Sequence, residues 1–268
     1  MPSPIRKPQL AERAEKALAA PRHLIDPFFK ETAKEVLLAL ARNPNLEERD
    51  LLRLLERKDL PGEVVREIAE HRQGGKSYTV KLALARHPKT PRLISLPILK
   101  FLHLFDLVRV SQSPGVPADV KMSAEDAVLK RLESIPRGER ITLGRRASGR
   151  VAARLLFTND REVICAALDN PFLSEAHLIR VLTHRIITRE VVEAVTLHPR
   201  WSSRYDLRLA LVRHHLAPLS AVLAFLPDLA VNDLREICLD RRMPEQVRKY
   251  VLAHCAERLN SRHEGSIE

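Results

Sequence analysis

The sequence predicts an all-α protein: an α-solenoid of antiparallel helix pairs, about 12–14 helices, built from a tandem duplication of a unit of about 127 residues. Three observations carry this expectation. Glycine is scarce, at 8 of 268 residues, and aromatics make up 4%, a composition short of what sheets and hairpins require. One short phrase recurs five times along the chain. Finally, the chain aligns with itself without a gap, 32–132 over 159–259, with 30 of 101 positions identical.

The recurrent phrase reads LALARNPNL at 38–46, LALARHPKTP at 82–91, CAALDNPFL at 165–173, EAVTLHPRW at 193–201 and LALVRHHLAP at 209–218. Its physical content is a helix ending. A residue before proline is pushed out of the α region, and proline can open the next turn but cannot continue a helix. Four of the five copies carry Asn-Pro or His-Pro, so each helix should stop there. Downstream lie helix-start signals at Thr90-Pro91, Ser174-Glu175 and Ser202-Ser203. Alanine holds one equivalent position throughout (Ala39, Ala83, Ala166, Ala194, Ala210), where a small side chain lets helices approach closely. Phrase ends fall at Asn43, His71 and His87, and again at Asn170, His198 and His214, with the same spacings in both halves. The expected domains are a first helical-repeat unit over 1–134, a second over 135–259 with a basic junction at 137–154, and a flexible C-terminal tail over 260–268.

The LALARNP and AALDNPFLSEAHLIRVL segments resemble bacterial leucine-rich-repeat-variant and HEAT-like repeats. The 149–179 stretch, GRVAARLLFTNDREVICAALDNPFLSEAHLI, is also similar to a family of bacterial helical-repeat proteins. The resemblance implies a solenoid with a concave binding face and no shared chemistry.

Motifs for chemistry are sparse. There is no phosphate-cradling G-x-x-x-x-G-K-[ST] or G-x-G-x-x-G, and neither HExxH nor C-x-x-C occurs. No cofactor and no metal is expected, and the chain reads as not an enzyme. The odd set Cys165, Cys238 and Cys255 reads as reduced core residues of a cytoplasmic protein. The apolar stretch at 93–108 is broken by Pro97, Lys100 and Asp106, so no membrane span is expected. The paired histidines His71/His198 and His87/His214 read first as helix C-terminal caps that complement the dipole, with a ligand or catalytic role as the alternative.

Charge offers the sharpest candidates. The chain carries a net +11, which favours anionic partners. The junction holds Arg137, Arg140, Arg145, Arg146, Arg150 and Arg154 against only Glu139, and Arg200, Arg204 and Arg208 form a second group. If helical, the junction would put Arg146, Arg150 and Arg154 on one face. These nine arginines are candidates for binding phosphates or an acidic partner; the alternative is a solvated face with arginine stems covering apolar surface. Arg42, Arg86 and Arg213 precede the turn in three copies, where cations complement the dipole.

Three functions follow in order of expectation. The first is a non-catalytic scaffold binding a macromolecular partner, a protein foremost, on its concave face. The second is a nucleic-acid-binding solenoid using the clustered arginines. Its candidates for stacking on single-strand bases (Tyr78, Tyr205, Trp201, Phe101, Phe105) are few, which favours duplex backbone contacts. The third is an enzyme similar to the HEAT-like alkylpurine DNA glycosylases, whose cleft carboxylate is flanked by aromatics; only Trp201 and Asp206 approach that pattern.

Overall fold

Several helices in this chain end at an asparagine or histidine whose side chain captures the backbone around it. The computed structural model describes residues 6–239 and 245–264, and these fall into two compact units, Met1–Arg131 and Leu132–Glu268. In the first, α1 (Arg6–Ala19) is followed by two short 3-10 turns and then α2 (Lys34–Ala41), α3 (Glu48–Glu56), α4 (Gly62–Glu70), α5 (Tyr78–Arg86), α6 (Arg92–Leu99), α7 (Leu104–Gln112) and α8 (Ala118–Arg131). The second holds α9 (Arg137–Arg146), α10 (Gly149–Leu155), α11 (Arg161–Leu168), α12 (Glu175–Leu182), α13 (Arg189–Leu197), the single turn α14 (Pro199–Ser202), α15 (Tyr205–Val212), α16 (Leu219–Phe225), α17 (Val231–Leu239) and α18 (Glu245–Glu264).

The chain is therefore all-α among its described residues, with eighteen α-helices rather than the expected 12–14. Prolines set several of the helix starts: Pro61, Pro91, Pro136 and Pro218 each occupy the N-cap position. Ser174 caps α12 as expected, its hydroxyl accepting from the His177 N–H. Thr90 does not cap α6. It is buried and donates instead to the Leu84 carbonyl at 2.6 Å. Ser203 closes α14, and Arg204 stands at the start of α15. The tail expected from 260 is helical as far as Glu264; residues 265–268 lie outside the described residues.

At the offset of 127 the two units match in order. Helices α2, α3, α4, α5, α6, α7 and α8 begin at positions equivalent to the starts of α11, α12, α13, α15, α16, α17 and α18, and α1 ends where α9 does. Within the first unit α3, α5 and α7 pack in succession, while α2 lies against α4 and α6 against α8. Within the second, α11 packs on α9 and α13, and α12 on α10 and α15.

The helix that ends in each phrase supplies two core residues one turn apart. Val36/Leu40, Val80/Leu84, Val163/Ala167, Val191/Val195 and Leu207/Leu211 are all buried, each larger side chain contributing about 1.5–3 kcal/mol relative to exposure. The recurrent alanine is less critical than expected: Ala39, Ala83, Ala194 and Ala210 are half-buried. Close approach occurs at Ala166, which α9 meets with Gly144; a Cβ on Gly144 would lie 3.1 Å from the Ala167 nitrogen and 3.2 Å from the Ala166 Cβ.

The cysteines depart from the core reading. Cys165 is exposed and Cys238 half-buried, because both fall on the outer side of helices whose core positions are taken by valine, leucine and isoleucine. The side chain of Cys255 lies outside the described residues.

Candidate macromolecule-binding surfaces

The phrase ends explain why asparagine and histidine alternate at one position. Asn43 donates from Nδ2 to the Ala17 and Ala20 carbonyls at 2.8 and 2.9 Å, and its Oδ1 accepts from the Asn45 N–H at 2.8 Å. Asn170 repeats this on Gly144, Ala147 and Phe172 at 2.6, 2.9 and 2.7 Å. Histidine makes the same two-ended latch. The Nδ1 atoms of His71, His87, His198 and His214 accept from the backbone N–H two residues ahead. The far nitrogen Nε2 of His71 lies 3.1 Å from the Asn43 carbonyl, that of His87 lies 2.9 Å from the Arg57 carbonyl, and that of His198 lies 3.1 Å from Asp169 Oδ1. A carbonyl can only accept, so Nε2 is the donor in His71 and His87. Burial holds both His87 and His214 below the ordinary imidazole range. His87 and His214 are therefore disfavoured as cations on a helix dipole.

Tyrosine forms a second recurrent clamp. Tyr78 donates its hydroxyl to Asp106 at 2.5 Å and accepts from the His103 N–H at 3.0 Å. Tyr205 donates to Asp233 and accepts from the Ala230 N–H at 2.9 Å. The Tyr78 hydroxyl is pushed up by burial and then by Asp106; that of Tyr205 is pushed up chiefly by Asp233.

The nine candidate arginines do not converge. Arg137 pairs with Asp160 and Glu162, holding the Asp160 carboxyl below its ordinary range. Arg140 donates to the Ile135 and Glu133 carbonyls. Arg200 caps the Asn170 and Leu173 carbonyls and stacks 4.2 Å over Trp201. Arg208 donates to the Ser202 carbonyl and to Asp228. Arg145, Arg146, Arg150, Arg154 and Arg204 are exposed, with Arg154 5.7 Å over Phe157. The single helical face expected for Arg146, Arg150 and Arg154 is absent. The helix breaks between α9 and α10 because Ala147 turns extended, and Gly149 then packs so tightly that a Cβ there would fall on the Phe172 carbonyl oxygen. Arg200, Arg204 and Arg208 likewise lie on α14, the turn after it, and α15. A cleft of about 470 Å³ along α9 and α11 is lined by Arg137, Arg145 and Arg161 but equally by Asp160, Glu162 and Asp169, so its charges balance.

The phrase arginines reach forward past the following helix to the one after it: Arg42 to Glu67 at 2.5 Å, Arg86 to Ser113 at 3.0 Å and Arg213 to Glu236 at 3.1 Å. Trp201 is buried and donates its indole N–H to the Leu168 carbonyl at 2.9 Å, while Asp206 is exposed; the glycosylase-like pairing is not formed.

Three of the aromatics named from the sequence come together in one cluster. At the α5–α7 end of the first unit, Tyr78 and His103 pair ring to ring at 4.7 Å, and the Lys81 ammonium sits 5.0 Å from the centre of the Phe101 ring. Phe101 is 64% exposed and Phe105 38%. Arg109 follows one turn after Phe105, bonded at 3.2 Å to Asp106.

No family model, no curated protein and no solved structure matches the chain. Among the described residues no group of three or more His, Cys, Asp or Glu could hold a metal ion, and no helix is long and apolar enough to cross a membrane.

Proposed function

We propose that the chain is a tandem duplication of one helical-repeat unit and acts as a non-catalytic cytoplasmic scaffold, binding a protein partner on the concave face that stacked HEAT-like helix pairs create. The observation that carries this reading is the fate of the recurrent polar residues. Asn43/Asn170, Tyr78/Tyr205 and His71/His198 are the groups most suited to chemistry, and each is bonded within the helix framework. The matching helix starts of the two units support the duplication. The test is capture of partners on the immobilised full chain, followed by titration calorimetry with each purified candidate. Saturable binding at about 1:1 or 2:2 stoichiometry supports the scaffold. Turnover of a substrate by the purified chain, with no stable partner, overturns it.

A second reading, duplex nucleic acid held by the junction arginines, is favoured by the exposure of Arg145, Arg146, Arg150 and Arg154. It requires duplex binding that weakens steeply between about 50 and about 200 mM salt and is lost on changing Arg145, Arg146 and Arg150 to Glu. Binding unchanged in that variant removes these arginines from consideration.

A further inference from the structure

The two units share the tyrosine clamp and decorate it oppositely. In the first, Phe101, His103, Phe105 and Arg109 surround it; at the equivalent positions the second has Asp228, Ala230, Asn232 and Glu236. Lys81 corresponds to Arg208. Lys81 lies over the exposed Phe101 ring, whereas Arg208 is neutralised by Asp228 at 2.5 Å. Glu236 adds a further carboxylate, bonded to Arg213. The first unit thus presents exposed rings beside a lysine at this place, and the second closed arginine–carboxylate pairs.

We propose that the α5–α7 end of the first unit binds single-stranded nucleic acid, its bases stacking on Phe101 and Phe105 and its phosphates meeting Lys81 and Lys100. Charge and shape both select this occupant. Exposed rings accept any base face, and a cation set against one of them stands where a phosphate flanks a stacked base. A ring 64% exposed retains its stacking face, and Lys81 placed against it is positioned to hold a phosphate beside a stacked base. Duplex offers no free base faces, so single strands should be preferred. The clamp pre-organises the site: through the Asp106 carboxylate and the His103 N–H, Tyr78 ties the loop carrying Phe101 and His103 to α5 and α7. The aromatics that looked too few in the sequence are concentrated here, because Trp201 is buried and Tyr205 stands in the acidic counterpart. This surface is separate from the protein-binding reading, which stands or falls without it.

The experiment is fluorescence anisotropy with labelled oligo-dT and oligo-rU strands of about 15 nucleotides, alongside a duplex of the same length, from about 50 to about 200 mM salt. The full chain is compared with Phe101→Ala/Phe105→Ala and with Lys81→Glu, both checked for unchanged helicity by circular dichroism. The expected result is single-strand binding stronger than duplex binding, weakened at least about tenfold in the double phenylalanine variant and steeply salt-dependent. Absence of strand binding at about 50 mM salt overturns the proposal, as does binding that ignores both the strandedness and the phenylalanines. A third outcome also overturns it: no strand binding, but capture of poly-glutamate that is lost in the same variants, which assigns the patch to an acidic protein.

Discussion

Asn43 and Asn170 make the same three hydrogen bonds, each donating to two carbonyls on the preceding helix ending and accepting from the N–H two residues ahead. Both are fully buried. The relationship turns a five-fold sequence phrase into a structural device.

Replacing Asn43 with Ala leaves two carbonyls and an N–H without that partner, which should cost about 2–4 kcal/mol in urea denaturation. Asn43→Asp should be worse than Asn43→Ala, because a carboxylate cannot donate to carbonyls and would be buried beside them. Equal midpoints for the two variants would show that the donor end carries no weight.

Acid should loosen the histidine latches. His87 is held below its ordinary value of 6.5 by burial first and then by Lys58 and Lys89, against the Arg57 carbonyl and Asp59. A depressed imidazole means that the unfolded chain takes up protons before the folded one. The latch contribution is therefore complete above about pH 6.5 and is lost as pH falls through the lower folded value. Urea midpoints measured from about pH 7.5 down to about pH 5 should fall, and His87→Ala, less stable at neutral pH, should show a shallower decline.

The two tyrosine clamps offer a matched pair. Tyr78→Phe and Tyr205→Phe each remove one donated and one accepted bond, so each should lower stability by about 1–2 kcal/mol in thermal or urea melts. The first substitution should also weaken single-strand binding, since it frees the loop bearing Phe101; the second should not.

Glycine is required at two places for lack of room. Gly144→Ala puts a Cβ 3.1 Å from the Ala167 nitrogen, a strain of about 1 kcal/mol, while Gly149→Ala meets the Phe172 carbonyl and should cost about 3 kcal/mol. Denaturation of the two variants side by side would test that order.

Much of the fold was readable beforehand, because helix ends are written locally. Pro44, Pro88, Pro171 and Pro199 each follow a residue that leaves the helix, and Ser174 declares itself as a cap. Thr90 and Ser203 misled because a hydroxyl near a helix start has other carbonyls within reach. The surface was harder to read. Whether Arg137 or Arg208 is available depends on a carboxylate 23 or 20 residues away, and no periodicity announces such a partner. The aromatic cluster was hidden for the same reason: Lys81 and Phe101 lie 20 positions apart and meet only once α5 and the α6–α7 loop are packed. Comparing the two halves where they differ, rather than where they agree, would have set Phe101 and Phe105 apart from the other aromatics named.

The latches also bear on how the chain reaches its folded form. Asn43, His71 and His87 each fasten to a carbonyl only 23 to 30 residues back, so closing each one needs a short loop. Chains organised by such near-neighbour contacts cross a low entropic barrier and fold quickly. Each helix pair locks onto the one synthesised just before it, so ordering can advance in step with the ribosome rather than wait for the C-terminus.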